Sequence, residues 1–99
     1  MTRMDETLDA AEPPQDWPTA LWALWWLRKG DFAMGPAWDM AHMICQEAEG
    51  TPACDLAHAL AHWIEGDRSN SDYWYRSAKA DRGPDIETDW ARQVADLAG

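Results

Sequence analysis

Basic residues are scarce in this chain: Lys and Arg number 8 against 18 Asp and Glu, giving a formal charge of −10 over 99 residues. A grip on a phosphate backbone needs clustered Lys and Arg, so direct nucleic-acid binding is not expected. A protein partner with a basic surface suits the charge better. An acidic inhibitor that imitates nucleic acid is a weaker alternative, because no predicted helix carries a dense acidic stripe. Long hydrophobic runs are missing too. The most apolar stretch, ALWALWWL over 20–27, is too short to cross a bilayer and stops at Arg28-Lys29, so no membrane role is expected. The acidic N-terminus lacks the apolar centre of a secretion signal, which leads to the expectation of a cytoplasmic protein. Only two cysteines occur, Cys45 and Cys54, expected as reduced thiols acting as small core residues. No glycine-rich phosphate loop, nucleophile elbow or Cys-x-x-Cys is found, and no segment alternates strictly between apolar and polar. No strand is expected from such a pattern, and the missing motifs argue against an activity of the chain's own.

What is present is helical. Apolar residues make up 46% of the chain and eight are tryptophan, too many for a disordered polypeptide. Residues 1–16 hold five acids and Pro13-Pro14 and read as a disordered acidic tail, with a single helical domain over 17–99. Helix-type spacing predicts five helices, at about 17–29, 36–48, 53–65, 69–80 and 85–97. Asp16 and Pro18 are start signals for the first, and Pro36 sits in the first turn of the second. Gly30-Asp31, EGTP (49–52), Gly66-Asp67 and DRGP (81–84) are the breaks. In the fourth helix, capped by Ser69 or Asn70, the spacing puts Ser71, Trp74, Tyr75 and Ala78 on one face. Tyr73 points elsewhere, and Asp72 and Arg76 form an exposed pair. The last helix is amphipathic through Ile86, Trp90, Val94 and Leu97.

LRKGD and WIEGD end 36 residues apart, close to the period of tetratricopeptide-type repeats. Ser71, Tyr75 and Ala78 stand where such a repeat takes a small residue, an aromatic and an alanine. FAMGPA (32–37) intrudes on the first unit. The expected fold is therefore all-α, with two tetratricopeptide-like antiparallel hairpins and a closing C-terminal helix. KGDF, WDMAHMICQ, HALAHWIEGDRSNSDYWYRSA and DWARQVADLA together resemble a family of small uncharacterised bacterial helical proteins with an HA…H…EGD…YWYRRAG pattern. The matching positions are His42, Gln46, His58, His62, Glu65, Gly66, Asp67, Asn70, Tyr73, Trp74, Tyr75 and Arg76. That resemblance implies a helical fold and no particular activity.

Two constellations carry chemistry. Cys54, Asp55, His58, His62 and Glu65 share one side of the third helix, and His58 and His62 stand four apart, so that two imidazoles can reach one metal ion. His42 and Cys45 of the preceding helix are candidates to complete it, with Asp55 or Glu65 adding a carboxylate. The plainer reading is a solvated or separately hydrogen-bonded polar face. Trp22, Trp25 and Trp26 leave two readings open: a helix buried all round, or an aromatic patch that, with Tyr73, docks a partner or a second copy in a homodimer. The leading expectation is a non-enzymatic protein–protein interaction module with no cofactor. The alternative is a metal-binding protein or metal-dependent enzyme holding zinc or another transition metal through His42, His58 and His62.

Overall fold

The structure is a computed structural model and describes residues 4–98. A four-residue turn, α1 (Met4–Thr7), precedes five longer helices: α2 (Thr19–Lys29), α3 (Pro36–Glu47), α4 (Pro52–Glu65), α5 (Arg68–Ser77) and α6 (Ile86–Ala98). Among the described residues there is no strand, and the fold is all-α. Prolines at the first turns of α3 and α4 explain two starts: their missing N–H would find no partner there in any case. The start of α2 falls at Thr19, leaving Trp17 outside the helix, and Pro18 at its N-cap makes no side-chain bond. At α5 the cap is Asp67 rather than Ser69 or Asn70; its carboxylate accepts from the Asn70 backbone N–H at 3.3 Å and from the Asn70 amide at 2.8 Å. Asp72 pairs with Arg82 at 2.7 Å and Arg68 at 3.8 Å, not with Arg76.

Both Gly-Asp corners end a helix, but in different registers. Gly66 takes φ +89°, and the amides of Gly66 and Asp67 bond back to Trp63 and His62, so the glycine holds the left-handed position. At the first corner the amides of Asp31 and Phe32 bond back to Arg28 and Leu27, and Asp31 itself, at φ +57°, occupies that position. The sequence echo does not give two equivalent turns.

α2 packs on α3, α4 on α5, and α6 closes over α4 and α2, so α4 runs through the centre. Short connections force the neighbours to run antiparallel. Leu24, Trp25, Leu27 and Leu60 are fully buried, with Ala41, Ala57 and Ala61 between them. Those small side chains let α3 and α4 approach closely enough for Trp38 to donate its indole N–H to the Ala61 carbonyl at 2.7 Å. Trp90 does the same to Leu24 at 2.8 Å, tying α6 to α2. Ser71, also buried, donates to the Ala59 carbonyl at 2.9 Å where α5 crosses α4.

The segment expected as a disordered tail is docked over residues 4–16; residues 1–3 lie outside the described residues. Met4 is buried, Trp25 donates to the Thr7 hydroxyl at 2.9 Å, and Trp22 donates to the Pro14 carbonyl at 2.9 Å. Lys29 reaches the carbonyls of Leu8 and Ala10. The acceptors this segment supplies to the two indoles and to Lys29 are the Pro14, Leu8 and Ala10 carbonyls and the Thr7 hydroxyl.

Candidate metal centre

The spacing of four on α4 puts His58 and His62 one turn apart, their rings stacked with centres 4.8 Å apart. His42 arrives from α3 because the Trp38–Ala61 bond holds α3 against that turn. Its ring meets His58 and His62 edge-on, 5.0 Å from each. One ring nitrogen from each of the three histidines lies within 4.8 Å of the others. Trp38 stacks on His42 at 4.8 Å, and Trp74 stacks on His58 at 4.2 Å, so two indoles wall the cluster. His58 and His62 are buried and His42 half-buried.

Two polar details set the site apart from packed aromatic rings. His62 Nδ1 lies 2.8 Å from Glu65 Oε1. With Nδ1–H donating to the carboxylate, Nε2 keeps its lone pair, which is how ligating histidines are commonly oriented. His58, only 2% exposed, has a buried Nδ1 with no hydrogen-bond partner. A buried polar atom left unmatched costs about 1–3 kcal/mol, so its persistence calls for an explanation that packing does not give.

Burial keeps His58 and His42 uncharged. Burial, then the neighbouring His62 and His42, pushes the His58 imidazole down to about 4. Burial also lowers His42, aided by His62 and opposed by Glu65, Asp39 and Glu49. Both are therefore neutral at pH 7, with lone pairs free for a cation. Zinc–nitrogen bonds of about 2.0–2.1 Å imply nitrogens roughly 3.3 Å apart around a tetrahedral ion, so the rings would have to move inward to hold one.

Of the residues singled out from sequence, the three histidines converge and Glu65 joins them through His62. Cys45 and Cys54 do not join. Both are buried free thiols, outside the His42–His58–His62 group, and burial first of all raises each thiol's pKa, away from the thiolate a metal needs. Asp55 turns the other way, accepting the Gly50 amide at 3.1 Å. The sequence reading put Trp74 on a helix face with Ser71 and Tyr75 but did not connect it or Trp38 with the histidines; Trp38 standing four residues before His42 is the signal that places it over that ring. The aromatic-patch residues separate. Trp25 is fully buried and unavailable to a partner, Trp22 and Trp26 are half-buried, and Tyr73 is 53% exposed.

No protein-family profile, curated protein or solved structure matches this chain. Among the described residues no helix is long and apolar enough to cross a membrane.

Proposed function

We propose that the protein binds a transition-metal ion, zinc or one of similar preference, through His42, His58 and His62. The observations carrying this reading are the convergence of three imidazoles, each with a ring nitrogen within 4.8 Å of the others, and the burial of His58 with an Nδ1 that has no hydrogen-bond partner. Three nitrogen donors with a carboxylate orienting one of them suit zinc and copper better than magnesium or calcium, which take oxygen ligands. No reaction is proposed; the ion's role in this reading is to be bound.

Metal analysis of protein purified without a histidine tag tests it, together with thermal melts in added zinc. The expected outcome is about one equivalent of metal. With free zinc a hundredfold above Kd, linkage predicts stabilisation of about 2.7 kcal/mol, roughly 10–20 °C for a domain this size. His42→Ala and His62→Ala should each abolish the shift. Absence of stoichiometric metal with an unchanged melting temperature would end the proposal.

The interaction-module reading retains one specific support, the exposed methionines Met34, Met40 and Met43 on and before α3. Thioether side chains suit adaptable protein contacts. Sedimentation and native pull-down with Met40→Glu and Met43→Glu variants test it; recovery of the same partners by both variants counts against that surface.

A further inference from the structure

The histidine cluster supplies three donors and no fourth. Among the described residues, no cysteine, aspartate or glutamate adds a donor atom within 4.8 Å of all three imidazole nitrogens. The acids and thiols around the cluster are engaged elsewhere. Glu65 lies 2.8 Å from His62 Nδ1, at the other nitrogen from the one left for a metal. Asp67, which groups with His62 and Glu65, caps α5 and accepts from the Asn70 backbone N–H and amide. Asp55 accepts the Gly50 amide, and Cys45 and Cys54 are buried thiols outside the group. Trp38 and Trp74, stacked on His42 and His58, offer no lone pair, because an indole nitrogen can only donate.

Zinc and metals of similar preference are held by about four ligands, so three protein donors leave one position to solvent or to an added ligand. Solvent has a way in. His58 and His62 are 2% and 7% exposed, whereas His42 is half-buried and forms the open edge. Charge then selects the occupant. Three uncharged imidazoles leave both positive charges of a divalent ion uncompensated by its ligands, which favours an anion over a neutral molecule. A single position takes a single donor atom, and the burial of two of the three rings restricts the occupant to a small one. The carboxylates of Asp39, Glu49 and Glu65, whose charges act on His42, weaken an anion's binding without supplying a ligand of their own.

We infer that a metal ion held by His42, His58 and His62 keeps one coordination position free of protein donors, and that this position takes a small monodentate anion. The inference rests on the metal-binding reading above and adds to it an exchangeable ligand, which a purely structural metal site lacks.

Cobalt(II), which stands in for zinc with a visible spectrum, and sodium azide test it on the full chain near neutral pH. Cobalt should bind at about one equivalent. Azide should then change the cobalt bands saturably, with Kd of about 1–10 mM, while perchlorate at equal ionic strength leaves them unchanged. Glu49→Gln should tighten azide about twofold to threefold by removing a repelling charge. Glu49 is exposed, so its replacement leaves the core untouched. One equivalent of cobalt with bands that azide does not alter, or that perchlorate alters equally, would overturn the inference and leave the metal site standing. An azide response gained only in Glu65→Gln would make Glu65 the fourth ligand and overturn it likewise. Failure to bind cobalt or zinc at all would end both readings.

Discussion

The imidazole of His58 and the indole of Trp74 lie face to face, their centres 4.2 Å apart and their planes 19° from parallel. α5 therefore contributes a wall to a cluster whose imidazoles come from α3 and α4. Tyr73 and Tyr75, the neighbours of Trp74, go to opposite fates. Tyr73 stays in solvent, and Tyr75 is buried with its hydroxyl on Asp89. A run of three aromatics on a helix is thus resolved into solvent, site wall and core.

That stack makes Trp74 a reporter. Copper(II) bound by the histidines should quench part of the tryptophan emission with one-to-one stoichiometry. Trp74→Phe should keep the stoichiometry while losing a clear fraction of the quenching. An identical quenching amplitude in the variant would mean that the ion sits elsewhere.

The metal-free protein should weaken as acid is added. His58 is held at about 4 in the folded chain, against 6.5 when exposed, by burial and by His62 and His42 beside it. The unfolded chain therefore takes up its proton first. Stability is complete above pH 6.5 and falls as pH drops from there toward 4. His42 titrates in the same direction, with Glu65, Asp39 and Glu49 opposing it. Urea midpoints measured between pH 7.5 and 4.5 check this, and His58→Gln should flatten the slope over that window.

A buried polar knot locks α6. Asp89 is fully buried and accepts from the Tyr75 hydroxyl at 2.6 Å, the Gln93 amide at 2.9 Å and the Gly83 backbone N–H at 2.9 Å, with Arg92 alongside. Burial, then the bond to Asp89, drives the Tyr75 phenol well above its ordinary range. Tyr75→Phe should cost about 1.5–3 kcal/mol, the span for a hydrogen bond to a charged group. Asp89→Ala should cost about 3 kcal/mol or more, since it strands several donors at once. The double variant should cost less than the sum, which a denaturation cycle measures directly.

Deleting residues 1–16 should lower the melting temperature although the segment is polar. Trp22 and Trp25 would lose their acceptors and the burial of Met4 would be lost, roughly 2–3 kcal/mol in all. For about a hundred residues that is roughly 10 °C or more. An unchanged melt would show that these contacts contribute nothing.

Much of the helical layout was legible because it depends on neighbours in sequence. Leu56, Leu60 and Ile64 recur at helical spacing, prolines open α3 and α4, and Gly66 supplies the left-handed corner that ends α4. His58 and His62 could be paired for the same reason, since a separation of four fixes a shared helix face. The Asp89–Gln93 pair also left a trace, standing among Ile86, Trp90, Val94 and Leu97 within the apolar stripe of α6, where polar side chains must find buried partners.

The linear order determined where this chain turns and which side chains share a helix face, because both follow from a 3.6-residue period and local backbone sterics. It could not decide which tryptophan is buried, which acid caps a helix, or that His42 meets His58 and His62. Those depend on how α3 settles against α4, and that is set by alanines small enough to admit close contact and by the reach of Trp38 to the Ala61 carbonyl. Contacts between residues far apart in sequence have no period to announce them. Only the packed arrangement brings the three imidazoles together.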